Sequence, residues 1–434
     1  TPDAFIDRYL DIEDDAITVD MSGAVATRRA LKNFNEDTLD ELRRIMAAHE
    51  HYLTSADLRA DYEARGSLAE YNKLFPTRID RRELIEADDI QEGILAPIRA
   101  YLAADDAIDV GAGVIRSAAD RSSLRRARMK KLEEDGELST VEEALWTVEL
   151  EDPGLVMLLI LDVVTKAAVD PRLLEESLSA ANKNLPKARQ RLSAAMKDAI
   201  EAGLDPQAFL ASLENGSDNE ESSTGMGRRL LRLRLPAKLR AVQRAHLAVL
   251  ATERQITVLD ALDVSGTARH YKESQRYPPK IRAVVGLIGP RPRHGYVVFC
   301  DYNKVLLWLV DALVKSGLAK GRIAVITKDV SPPARQAIAD KFNAGEYDVV
   351  VGNTKTMGEG MNLQVRTRML IHMDFPWEPA SMQQRDGRAV RQGNTLGAVD
   401  IVSLVTPGSA DLLRLNSIEG KKGWQDRFRR SDVT

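Results

Sequence analysis

The sequence has one cysteine, Cys300, in 434 residues, so no internal disulfide can close. No apolar run approaches the ~20 residues that a membrane-spanning helix needs. Neither charge is in excess: 61 Lys and Arg against 65 Asp and Glu leave a formal net charge of -4. No global positive field therefore draws the chain to nucleic acid, and any such binding must be local. The opening Thr1-Pro2-Asp3-Ala4 lacks the basic and apolar regions of a secretion signal. These absences predict a cytoplasmic protein without a membrane partner; the missing initiator Met is expected of a fragment or a processed product. No metal site is expected, because only His49 and His51 lie close together. A spacing of two points them to different sides of a helix.

What remains is globular in composition, with 44% hydrophobic and 29% charged residues. At ~150 residues per domain, the length suggests two or three units. Two basic stretches stand out. One runs from Arg121 to Lys131 with Arg125, Arg126, Arg128 and Lys130; the other runs from Arg228 to Arg240 with Arg229, Arg232, Arg234 and Lys238. Each reads as a solvated helix face before it reads as a phosphate contact.

The first 150 residues read as helices joined by polar turns. Leu39, Leu42 and Ile45 follow a turn at Asn35–Thr38, and Ile94, Leu95, Ile98 and Leu102 repeat a helical stripe that Pro97 kinks or opens. Leu155 to Leu161 continues apolar into Val163 and Val164, a buried helix ending before Asp170-Pro171. From Leu185 to Gln275 the pattern is helical around Asn215–Gly225, which has no apolar residue to bury and reads as a linker.

Beyond Pro279 the character changes. Strands are expected at 296–299, 322–327, 348–351, 369–372 and 399–405, with helices at 304–316, 332–343 and 379–391 between them. Alternation of this kind means a parallel α/β sheet, whose functional groups sit in loops beyond the strand ends. After the third strand, Gly352 to Gln364 holds three glycines within nine residues beside Thr354, Lys355, Thr356 and Asn362, donors suited to phosphate oxygens. After the fourth, Gln384, Arg388 and Arg391 fall on one helix face. Two guanidinium forks there suit a transferring phosphoryl group. Spacing alone leaves an ion-pair surface equally open, with Glu378 and Asp386 as partners.

The order of these elements resembles superfamily-two helicases. Tyr296-Val297-Val298-Phe299-Cys300-Asp301 resembles motif IV, Gly352 to Gln364 motif V, and Gln384-x-x-Gly387-Arg388-x-x-Arg391 motif VI. Trp377-Glu378-Pro379 and Arg388 to Asn394 are similar to the Snf-type branch that includes phage and plasmid antirestriction helicases, and Pro279-Lys280-Ile281 resembles the lead-in to lobe two. Upstream, Tyr52-Leu53-Thr54 with Asp57-Leu58, then Phe75 to Asp80, resembles the end of lobe one. The resemblance implies a RecA-like α/β lobe over 279–434, a helical end of lobe one over 1–150, and a helical start of lobe two with an insert over 151–278.

It further implies that Arg388 and Arg391 are catalytic and reach the γ-phosphate of ATP. Gln384, Gly358, Gly360 and Asn362 would serve the nucleotide; Thr354, Lys355, Thr356 and Gln364 would meet the backbone of double-stranded DNA. The sequence departs from the family in having neither a Gly-x-x-x-x-Gly-Lys-Ser/Thr loop nor an acidic box. ATP and Mg would then be held mainly by an absent N-terminal lobe, and this chain alone would not hydrolyse ATP. The alternative is a non-catalytic DNA-binding scaffold. A third reading takes Asp374-Phe375-Pro376-Trp377 for the base-holding motif of amino-methyltransferases, with Phe375 where the first proline belongs.

Overall fold

The computed structural model describes residues 10–19, 25–34, 55–102, 108–109, 114–115, 118–215, 236–357 and 361–429. The expected helix at 39–45, His49, His51, Tyr52 to Thr54, the linker from Gly216, Arg228 to Arg234, Gly358 and Gly360 lie outside these residues.

In chain order the first elements are β1 (Leu10–Val19) and β2 (Val25–Phe34), an antiparallel pair. Then come α1 (Ser55–Ala64), α2 (Leu68–Leu74), β3 (Thr77–Leu84) and α3 (Asp89–Leu102). Two short paired strands, β4 (Ile108–Asp109) and β5 (Val114–Ile115), precede α4 (Ala118–Asp135) and α5 (Thr140–Glu151). The helical series continues with α6 (Pro153–Val169), α7 (Arg172–Glu201), α8 (Pro206–Asn215), α9 (Ala237–Ala261), α10 (Val264–Glu273) and α11 (Pro279–Ile288).

The alternating part holds β6 (Gly295–Phe299), α12 (Asn303–Lys315), β7 (Ile323–Ile326), α13 (Pro332–Asn343), β8 (Val349–Gly352) and α14 (Thr354–Met357). It closes with β9 (Thr367–His372), α15 (Pro379–Asp386), β10 (Ala398–Val405) and α16 (Ala410–Arg429).

The fold is α/β, as expected: a parallel six-stranded sheet in the order β3-β10-β9-β6-β8-β7, with helices around it. Five of its strands are those the sequence pattern marks. The sixth is a surprise. Thr77–Leu84, far upstream of Pro279, pairs with β10 along its whole length, from Ala398–Thr77 to Val405–Leu84. Its side chains are almost all exposed, so it has no apolar alternation to reveal a strand. As an edge strand it is dense with charge: Arg78 binds Asp80, Arg81 binds Glu83, and Arg82 binds Glu419. Such charges discourage a further strand from adding to the edge. Among the described residues, the region before 279 is therefore helical but for this strand, the ten-residue pair β1–β2 and the two-residue pair β4–β5.

Two more expectations are corrected. Pro97 does not open its helix: α3 begins at Asp89 and carries Pro97 inside it. The helix expected to run to Arg391 stops at Asp386, because the amides of Arg388 and Ala389 bond three residues back, to Arg385 and Asp386, which tightens the chain into turns.

Apolar burial divides in four, the smallest cluster being Phe375, Met382, Val405, Leu415 and Ile418 beside α15 and α16. Ile94, Leu95, Leu145, Val163 and Val258 belong to a helical core built from α3, α5, α6 and α9. One sheet face packs Val298, Val351 and Ile371 on α11 and α12. The other packs Val297, Val350 and Leu370 on α13 and the segments after β8 and α15. Cys300 is buried, and burial pushes its thiol well above the ordinary range, which suits a core residue and not a nucleophile. Among the described residues, no helix is long and apolar enough to cross a membrane.

Lys280, on α11, is wholly buried; its Nζ donates to Met373 O at 2.9 Å and to Asp411 Oδ2 at 2.6 Å. This pair pins α11 and α16 to the end of β9. Removing one partner strands a buried charge. Lys280→Met is therefore expected to cost about 3–5 kcal/mol in urea unfolding, and Lys280→Met with Asp411→Leu to recover most of that loss.

Candidate functional site at the strand ends

The carboxyl ends of β6, β8 and β9 release three segments to the same edge of the sheet, the position at which open α/β sheets place their sites. β6 leads to Asp301, β8 to Asn353 and α14, and β9 to Asp374. Gly352 ends β8 because nothing larger fits: a Cβ there would lie 2.8 Å from Ile326 O and from the Met357 side chain. Asn353 then caps α14, its Oδ1 accepting from the Thr356 amide at 2.9 Å.

One side chain gathers these segments, and it is Arg385, which the spacing argument passed over. Its guanidinium is fully buried. Nε donates to Thr354 Oγ1 at 2.9 Å, Nη1 to Asp374 O at 2.8 Å and Nη2 to Asp374 Oδ1 at 3.0 Å. Asp301 Oδ2 lies 3.1 Å from Nη2, and the Phe299 ring lies 5.3 Å away. Asp301 closes the circuit: its Oδ1 accepts from the Thr354 amide at 2.8 Å and hydroxyl at 2.7 Å, and its own amide donates to Asp374 Oδ2 at 2.6 Å. Burial pushes the Asp374 carboxyl up, against the opposing pull of Arg385. A signal was available: two apolar strands each run into an Asp, and an Arg follows Gln384 in the motif run.

A second buried cluster sits beside it. His372 Nε2 lies 2.9 Å from Asp386 Oδ1, and Arg78 of β3 lies 2.8 Å from Asp386 Oδ2. Burial lowers the His372 pKa despite that carboxylate. Burial alone would raise Asp386, but the His372 hydrogen bond and the Arg78 charge hold it low.

The expected site residues divide accordingly. Arg388 Nη1 donates to Met361 O at 3.0 Å, and Arg391 Nη1 donates to Asn362 Oδ1 at 2.8 Å, so both arginines and Asn362 come together. They do so from a turn, not from a helix face. Lys355 and Gln384 are exposed and Gln364 is half-buried. Thr354 and Thr356 do not offer free hydroxyls: the first is held between Asp301 and Arg385, and the second donates to Ile326 O at 3.0 Å. Asp374 is likewise committed to Arg385, which removes the carboxylate that a methyltransferase would need. Of the basic stretch at 121–131, Arg125 and Arg126 bind buried Glu149 and Arg128 binds Glu142.

The sheet order, the three loops and the paired arginines on the segment after β8 can now be set beside known proteins. Residues 279–393 match the helicase conserved C-terminal domain. "Defense against restriction protein B" of Escherichia phage P1 is 35% identical over 97 residues, 22% of this chain and 4% of that protein. "ATP-dependent RNA helicase FAL1" of Candida albicans is 22% identical over 144 residues, 33% of this chain and 35% of that protein. The chain thus spans only a small part of the first relative and about a third of the second. Among solved structures, the C-terminal part of the Fun30 ATPase domain aligns with a TM-score of 0.39 and 17% identity, over 82% of this chain and 97% of that one. The C-terminal domain of the DEAD-box protein Dbp5 aligns with a TM-score of 0.28 and 20% identity, over 33% and 78%. Within the matched residues, Arg385 and Arg388 draw together the segments that follow β6, β8 and β9.

Two outcomes follow. Arg385→Ala leaves buried Asp374 without its partner and is expected to destabilise the chain by about 3–5 kcal/mol in urea unfolding. The pH dependence should carry a His372 component. The unfolded imidazole takes a proton near its ordinary pKa of about 6.5 and the folded one only below that, so stability falls as pH drops through this window. In His372→Gln, whose amide can still donate to Asp386, stability measured from about pH 6.5 to 5 should fall less steeply.

Proposed function

We propose that this chain carries the second motor lobe of an ATP-dependent translocase of the Snf type that moves on double-stranded DNA. The reading is carried by the seating of Arg388 and Arg391 on Met361 and Asn362, which holds two guanidinium groups together at the edge of the sheet. Arg391 is exposed there, and the donors of its guanidinium beyond the one given to Asn362 can meet an incoming phosphate.

ATP supplies a γ-phosphoryl group whose transfer to water releases the free energy that drives movement. Arg388 and Arg391 fit that group by the chemistry of their donors, and they would neutralise charge as it grows during transfer. Magnesium and the remaining phosphates would fall to a partner lobe, since these 434 residues hold no Gly-x-x-x-x-Gly-Lys-Ser/Thr loop. Gln384 and Asn362 would line the nucleotide side with Gly358 and Gly360. Lys355, exposed on α14, would meet the DNA backbone with Gln364, a contact that gives affinity without sequence choice. The buried hydroxyls of Thr354 and Thr356 would act by shaping that loop.

The name of the phage relative, which concerns restriction, favours DNA as the track; the more distant relative is named an RNA helicase. The alternative, a scaffold that keeps the lobe for docking, is favoured by the missing phosphate-binding loop in these 434 residues.

The deciding experiment measures duplex-stimulated ATP hydrolysis by a protein that contains both lobes. Arg391→Ala is expected to lower kcat by a factor of about 10³ or more while nucleotide affinity stays within a few-fold. Turnover unchanged by Arg391→Ala would favour the scaffold.

A further inference from the structure

Besides the two basic stretches singled out above, the described residues carry another cationic feature. That feature lies on α7, about 45 Å long at ~1.5 Å per residue. α7 and α9 run antiparallel, tied by Arg189–Glu253 at 2.7 Å and Lys238–Asp198 at 3.4 Å. The first turns of α7 are rooted in the protein, with Leu173, Leu174 and Leu178 buried. Beyond Leu178 its buried residues are Ala181 and Ala199, so the distal part is an arm packed on α9.

Between Ser177 and Lys197 the arm has five cations and no acid. Arg189 and Lys197 have partners in Glu253 and Glu201. Lys183, Lys187 and Arg191 are exposed and make no ion pair among the described residues. Four residues apart, they advance about 6 Å at each step along the same side of the helix. The half-buried Leu185, Ala188, Leu192 and Met196 face the other way, towards α9. Like charges at this spacing weaken a helix, and no acid sits among them to relieve the repulsion. Exposed Ser179, Asn182, Asn184, Gln190 and Ser193 add uncharged donors beside the stripe.

We propose that the Lys183–Lys187–Arg191 stripe is a second nucleic-acid surface, which grips the phosphate backbone of duplex DNA away from the motif V loop. The proposal rests on the reading of this chain as part of a DNA motor. Duplex is the form it fits: α7 contains no Phe, Tyr or Trp on which the bases of a single strand would stack. A membrane surface fits less well, because the apolar face opposite the stripe is spent on α9 and cannot enter lipid.

The test titrates the full chain with a fluorescein-labelled duplex of about 30 base pairs, by anisotropy, between about 50 and 200 mM NaCl. The variant carries Lys183→Gln, Lys187→Gln and Arg191→Gln, with circular dichroism as the check on folding. Losing three phosphate contacts should flatten the slope of log K against log salt by about 2.7 and weaken binding at low salt by at least about tenfold. Unchanged slope and affinity would overturn the proposal, as would a wild-type chain that binds no duplex or one whose stripe binds phosphatidylserine vesicles instead. Lys355→Gln, measured alongside, separates the two surfaces. If only Lys355→Gln loses affinity, the motif V track stands and the stripe fails; if only the triple variant does, the stripe stands and the motif V contact fails.

Discussion

A single buried guanidinium holds the working edge of this molecule together. Arg385 reaches Thr354 beyond β8, Asp374 beyond β9 and Asp301 beyond β6, three segments that share no local sequence. A planar fork with five donors suits this: Nε takes Thr354, Nη1 takes Asp374, and Nη2 is shared between Asp374 and Asp301. Sealed from water, it fixes distances among loops that would otherwise move independently. Lys355 and Arg391, by contrast, are presented to solvent.

The residues at the strand ends divide into those that hold and those that present. Holding falls to Arg385, Asp301, Asp374 and the hydroxyls of Thr354 and Thr356, whose hydrogen bonds are consumed within the protein. Presentation falls to Arg388 and Arg391, placed by a turn that tightens directly after α15, with Asn362 meeting Arg391 from the segment after β8. Chemically similar side chains take opposite parts within one short run, and burial decides which part each takes.

Much of this was legible in the sequence, and its limits are physical. Five strands of the sheet announce themselves because both of their faces are buried, so they read as apolar runs such as Tyr296 to Phe299 and Val349 to Val351. β3 shows nothing of the kind, since an exposed, charged edge has no pattern to display. The motif spacing paired Arg388 with Arg391, which the structure also brings together, but it named the wrong support: periodicity extended α15 past Asp386, where the chain turns more tightly. Arg385 escaped notice because a charged residue within a polar run is read as solvated, and only tertiary burial shows otherwise. Thr354 and Thr356 looked like phosphate donors for the converse reason, since sequence shows a hydroxyl but not whether a carboxylate or carbonyl has already claimed it.

The pairing of β3 with β10 joins positions more than 300 residues apart. A link of that span closes a long loop, and its entropic cost falls late, after the intervening helices and strands have shortened the effective distance. Because Arg78 of that strand also touches Asp386, two residues before Arg388, the edge strand is tied to the turn that carries the arginines. A fragment cut at the start of the helicase C-terminal domain would keep every motif yet leave the long apolar β10 with a bare edge, inviting intermolecular pairing where the intact chain has a strand of its own.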